Sequence, residues 1–297
     1  MHKIRTIAKN IIYHIKNSKN VYIPVIAAFF VAVCGIYVQQ KNIPAINTDN
    51  GIDVPIIMYH SVLKSAKKQT KYIVTPAQLE SDMLWLKSNG YTTVFIQDLI
   101  NYVYNGTPLP SKPVVLTFDD GYYNNLIYLY PLLKKYNMKA VISIIGIYSE
   151  EYSKTLDLNP SYAHLTWDNI NELSDSGLVE ILNHSYNMHK TDTRKGCKIL
   201  SGESYNEYKT VLAKDIMKTQ ELLNSNCKIA PIAFTYPFGY MCEESEGIIK
   251  ELGFKASLSC YEKINHITRD ESCLYMLKRF NRDSTISTER FMAKISS

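Results

Sequence analysis

The 297-residue chain is long enough for one large core plus an appendage, and its 46% apolar and 21% charged content excludes a disordered, collagen-like or repetitive protein. The formal net charge is +5, but Lys3, Arg5, Lys9, Lys16 and Lys19 supply five positive charges in the first nineteen positions, so the remainder is nearly neutral. No basic run follows Lys19, which argues against a nucleic-acid binder.

Residues 1–20 form a basic tail. The stretch Val21 to Val38, VYIPVIAAFFVAVCGIYV, has eighteen residues without a charge, close to the shortest helix that spans a bilayer. The basic flank precedes it, so the tail is expected in the cytoplasm and everything after Gln39 outside, in a single-pass protein of the cell membrane. A cleaved signal peptide and a buried core helix are the competing readings, but no small-residue cleavage site follows Val38, an uncharged run this long after a basic segment is unusual in soluble domains, and an uncleaved anchor is expected. Val33 stands before Cys34 where lipidation would want a small residue. Five cysteines lie beyond the anchor without a CxxC spacing, which leaves a structural zinc site unsupported and the disulfide pairing open.

Residues 39–53, polar and containing Pro44 and Asn50-Gly51, read as a linker, and residues 54–297 as the folded domain. In that domain short apolar runs alternate with helical patterns. Strands are expected at 55–59, 93–95, 114–118, 140–145 and 179–182, and helices at 75–89, 97–104, 125–136, 166–176 and 205–223. This order predicts parallel βα units, which a barrel or an open doubly wound sheet would satisfy equally. Residues 148–163 and 191–202 read as polar and aromatic loops. Polar clusters follow apolar strands at Asp119-Asp120, His184 and Pro237-Phe238-Gly239, on the C-terminal strand edge where such folds place their sites.

Asp119-Asp120-Gly121 is compatible with an ordinary turn. Two adjacent carboxylates in a closed site, however, need a cation or a proton to divide their roles. His184 and His189, in a short loop after an apolar strand, complete a two-His, one-carboxylate set of the kind that binds a catalytic metal; two unrelated surface histidines are the bland alternative.

TFDDG at 117–121, HSYNMH at 184–189 and YPFG at 236–239, flanked by PIIMYHSV at 55–62 and LKKYNMKAVISIIG at 133–146, resemble the metal-dependent polysaccharide deacetylases, the family-four carbohydrate esterases. The resemblance spans residues 54 to 283 and implies an irregular (β/α) barrel of about seven strands. It implies that Asp119 is the general base and that Asp120, His184 and His189 hold a divalent metal, zinc first, with cobalt or nickel as alternatives. The five-residue histidine spacing is similar to the poly-N-acetylglucosamine deacetylase branch. Pro237 and Phe238 match the family's oxyanion motif, but Thr235 stands where its base-orienting Arg belongs, so Arg279 or Arg282 is expected to substitute. No C-terminal histidine fits the family's general acid; His60 stands where that branch carries its own, after the first strand. The implied activity is removal of N-acetyl groups from an N-acetylglucosamine-containing polysaccharide, with no obligate protein partner. An O-acetyl esterase acting on a glycan such as xylan, and a catalytically silent carbohydrate-binding envelope protein, remain the alternatives.

Overall fold

The structure, a computed structural model, describes residues 51–65 and 70–296. The anchor expected at 21–38 lies outside these residues, and among the described residues no helix is long and apolar enough to cross a membrane. The folded part begins slightly before residue 54. Strand β1 (Ile52–Val54) pairs antiparallel with a late strand, Asn265–Ile267, and so turns the end of the expected linker into sheet.

From there the order is β2 (Ile56–Tyr59), β3 (Ser61–Val62), β4 (Ile73–Val74), α1 (Pro76–Ser88), β5 (Thr92–Thr93), α2 (Ile96–Asn105), β6 (Pro113–Phe118), a π-helical turn (Asn125–Leu129) leading into α3 (Tyr130–Tyr136), and β7 (Ala140–Ile144). Then come α4 (Gly146–Thr155), α5 (Trp167–Asp175), β8 (Val179–Asn183), α6 (Tyr205–Cys227), β9 (Ala233–Thr235), α7 (Glu243–Glu251), β10 (Ala256–Leu258), β11 (Asn265–Ile267), β12 (Phe280–Asn281) and α8 (Thr288–Met292). The helix α4 occupies part of the segment read as a loop from 148. Its sequence GIYSEEYSKT carries few aliphatic residues, because it packs through Ser149 and through tyrosines that stack on a histidine.

The central sheet runs β10-β9-β8-β7-β6-β2-β12, with β5 added beside β6, and every pairing in it is parallel. All residues of β2, β6 and β7 are buried, as expected of strands covered on both faces. One stretch draws the two sheet ends together. Leu277 exchanges backbone hydrogen bonds with Ser257 and Ser259 beside β10, and soon afterwards Phe280 and Asn281 pair with β2. That stitch bends the sheet towards a barrel and carries Arg279 in its middle.

Helix starts follow sequence rules. Thr75, Thr166 and Ser204 accept hydrogen bonds from the backbone N–H three residues on, capping α1, α5 and α6. A buried network fastens the C-terminal segment: Asp82 of α1 accepts from Tyr59 Oη (3.0 Å), Arg282 Nε (2.7 Å) and Nη2 (3.1 Å), and Thr288 Oγ1 (2.6 Å).

Candidate active site

The site is built where β2, β6, β8 and β9 end. Tyr59 pairs with Phe118, so the next residues, His60 and Asp119, emerge side by side, and Asp119 N donates to Tyr59 O (2.9 Å). Asp120 and Gly121 then both adopt positive φ, 72° and 68°. For Gly121 this is required twice over, since a Cβ there would meet Ile144 Cγ2 at 3.0 Å. Asp120, with a side chain, stores strain in that conformation, and the segment after α4 holds it there. Tyr123 N donates to Ala163 O (2.8 Å), Leu165 N donates to Gly121 O (2.8 Å), and His164 Nδ1 bonds to the Asp120 carbonyl (2.8 Å).

His164 was not singled out by sequence reasoning. It is buried and stacked between Tyr122 and Tyr148, with ring centroids 4.8 and 4.5 Å away. Burial pushes its pKa below the ordinary value, so the neutral ring donates through Nδ1 to a carbonyl that can only accept. The only sequence signal was its place two residues before the helix-capping Thr166.

Asp120 Oδ1 lies 3.1 Å from His189 Nε2 and 3.6 Å from His184 Nε2, yet it is buried and receives no well-aligned hydrogen bond. His184 Nδ1 lies 2.7 Å from the Thr235 carbonyl, which fixes the proton of the neutral ring on Nδ1 and leaves the Nε2 lone pair facing Asp120. Three ligand atoms, one each from Asp120, His184 and His189, all fall within 4.8 Å of one another. Lone pairs converging from a carboxylate and two imidazoles in a buried place repel unless a cation or protons sit among them, so these residues fit a divalent metal. Burial alone would raise the Asp120 pKa, but the two imidazoles of His184 and His189, with His60 nearby, hold it well below the usual carboxylate range.

Asp119 turns the other way. Arg279, fully buried, grips it in a fork, Nη1 to Oδ1 at 2.7 Å and Nη2 to Oδ2 at 2.8 Å, while Nε donates to Ser259 O (2.8 Å). Burial pushes the Asp119 carboxyl up, but the Arg279 charge and the Arg279 hydrogen bonds bring it below the ordinary value. The two carboxylates are thus divided: Asp119 faces a fixed cationic side chain and Asp120 faces imidazoles. Arg282 is not part of this arrangement. Its nitrogens bind Asp82 and the carbonyls of Asp283 and Ile286, so of the two arginines expected to replace the missing motif Arg only Arg279 reaches Asp119. Thr235, at the vacated motif position, hydrogen-bonds Ser143 (2.8 Å) through its hydroxyl.

His60 lies within electrostatic reach of both carboxylates. Burial lowers its pKa, which the charges of Asp120 and Asp119 partly offset, and its Nδ1 is buried without a hydrogen-bond partner. Phe238 has φ 56°, is 42% exposed, and lays its ring 4.0 Å from that of His189, which brings the Pro237-Phe238 turn to the rim of the same site.

Residues 106–257 match the family model for polysaccharide deacetylase. Among curated proteins, the poly-beta-1,6-N-acetyl-D-glucosamine N-deacetylase of Escherichia coli K12 is 28% identical over 223 residues, covering 67% of this chain and 32% of that protein. The protein of the same name from Staphylococcus aureus MRSA252 is 29% identical over 202 residues, covering 67% of this chain and 65% of its own length. The chain therefore spans about a third of the first relative and just under two thirds of the second. Among solved structures, a de-N-acetylase from Aggregatibacter actinomycetemcomitans superposes with a TM-score of 0.69 at 27% identity, covering 82% of this chain and 99% of that one. The Streptococcus pyogenes deacetylase PplD, solved with acetate, gives 0.66 at 22% identity over 82% of this chain and 99% of its own, a likeness of fold alone. With the family model covering more than half of the sequence, this chain belongs to the polysaccharide deacetylase family.

Proposed function

We propose that the protein is a metal-dependent N-deacetylase of poly-N-acetylglucosamine, working outside the cell on a domain tethered through residues 21–38. The observation that carries the chemistry is the division of the acidic pair: Asp119 in a fork with Arg279, and Asp120 turned with a bare oxygen towards His184 and His189. The substrate class rests on the two curated relatives named for that polymer and on the histidine spacing.

Asp120, His184 and His189 would hold the metal, zinc in the first place. When bound, it supplies Lewis-acid polarisation of the acetyl carbonyl and a lowered pKa for water. The chain's own residues do the rest. Asp119, kept ionised and fixed in direction by Arg279, takes the proton of the attacking water. The Phe238 N–H donates to the oxyanion, a contribution whose loss costs about two to three orders of magnitude in turnover. His60 delivers a proton to the departing amine. Acetate and a free amino sugar result.

The experiment is acetate release from poly-β-1,6-N-acetylglucosamine, peptidoglycan, chitin oligomers and acetylxylan side by side. Preference for the first supports the proposal. Preference for acetylxylan assigns an O-acetyl esterase, and release from none assigns a silent binding protein. The silent reading drew on Thr235 in place of the motif Arg, and Arg279 weakens it by gripping Asp119 from the stitch. Asp119→Asn should abolish release while leaving cation affinity intact; loss of the cation in that variant would overturn the division of roles.

A further inference from the structure

Four residues, Ser185 to Met188, separate the two histidines of the candidate metal centre, and all four of their backbone N–H groups are held by side chains. Ser185 N donates to Asn183 Oδ1 (2.8 Å) and Met188 N donates to Ser185 Oγ (3.2 Å). The middle two share one carboxylate: Tyr186 N donates to Asp215 Oδ1 (2.8 Å) and Asn187 N donates to Asp215 Oδ2 (2.9 Å). Asp215 stands half-buried on α6, the 23-residue helix that follows the loop in sequence. The loop carbonyls are tied to another element, since Gly146 N and Ile147 N at the start of α4 donate to Ser185 O and Tyr186 O (both 3.0 Å).

We propose that Asp215 is a positioning residue for the cation site: by gripping two consecutive N–H groups it fixes the span between His184 and His189, and so the direction in which His189 meets Asp120. The inference rests on the cation reading above. Three features carry it. The loop has no regular ladder of its own, and Ser185 sits at φ 71°, so its shape must be imposed from outside. A carboxylate is the one side chain that offers two acceptor oxygens in a plane to successive donors, whereas an amide offers a single oxygen. His184 is anchored independently through Thr235 and buried, while His189 is held at the far end of this loop and is 21% exposed, so slack in the loop falls on His189.

The test is cobalt(II) titration of metal-free protein, read by visible absorption and calorimetry, with no substrate present. Asp215→Asn should weaken cobalt binding by about 10–100-fold, the usual effect of losing a group that orients a ligand, and should change the absorption band as His189 loosens. Asp215→Glu, which keeps two acceptors, should recover most of the affinity. Leu212→Ala, a buried change on the same helix, should lower the unfolding temperature without altering cobalt affinity, which separates positioning from mere stability. If Asp215→Asn binds cobalt as the unaltered protein does while His189→Ala does not, the inference is overturned and the cation reading survives. If His189→Ala also binds normally, the cation reading itself is overturned.

Discussion

Replacing Arg279 by Met, which keeps most of its bulk and removes its charge, is the sharpest test of how the site is held. The side chain is fully buried and donates four hydrogen bonds to oxygen, two to Asp119 (2.7 and 2.8 Å), one to Ser259 O (2.8 Å) and one to Thr117 Oγ1 (3.2 Å), besides one to Cys260 Sγ (3.7 Å). Removing one partner of a buried ion pair leaves the other charge unpaired, at a cost of about 3–5 kcal/mol. Against a whole-domain stability of roughly 5–15 kcal/mol, that is a large fraction. The Asp119→Asn, Arg279→Met double variant should be more stable than Arg279→Met alone, because the stranded charge is gone; urea unfolding of the four proteins closes the cycle. Strictly additive losses would refute the pairing. Arg279→Lys restores a charge but not the planar fork. Loss of one charge-assisted hydrogen bond, about 1.5–3 kcal/mol, corresponds to about a 10–100-fold fall in acetate release if orientation of Asp119 matters. Unchanged release in Arg279→Lys would leave Arg279 a purely structural residue.

Arg282→Met strands Asp82 in the same way and should cost about 3–5 kcal/mol in urea unfolding, but with cobalt affinity unaltered, since its contacts lie away from the site. Dialysis against a chelator should abolish acetate release, and zinc or cobalt should restore it; release indifferent to both removes the metal from the mechanism. His60→Gln should reduce turnover by about 10²–10⁴-fold with cobalt affinity unchanged, and a fall in affinity instead would make His60 a ligand. His164 adds a pH effect. Its folded pKa is depressed by burial, so its contribution is present above the unfolded value of about 6.5 and is lost as pH falls below it. The urea midpoint of His164→Asn should therefore decline less between about pH 6.5 and 5 than that of the unaltered chain, and parallel declines would show His164 to be solvated.

What was legible in the sequence was whatever a local pattern imposes. The apolar runs ending at Phe118 and near Leu182 are strands because β6 and β8 lie inside a parallel sheet, and the residues that follow each run are pushed to the edge where chemistry collects. Thr166 and Ser204 announced their helices through caps. Beyond this, sequence reasoning failed wherever a partner comes from far along the chain. It offered Arg279 and Arg282 as equals; what separates them is that Arg279 precedes β12 in the stitch between β10 and β2, while Arg282 follows it and meets Asp82. The short β12 has no periodicity to reveal which neighbour lies on which side. Helix α4 was hidden for a related reason, since it packs through Gly146, Ser149 and half-buried tyrosines around His164 rather than through an aliphatic stripe. Asp215 is the same case carried further: on a long polar helix it looks like any solvated carboxylate, and only the fold places it under two bare N–H groups between two histidines. The candidate ligand set of such a site can thus be read along the chain, whereas the groups that would aim it come from other elements, and variants at Arg279, His164 and Asp215 should separate aiming from binding.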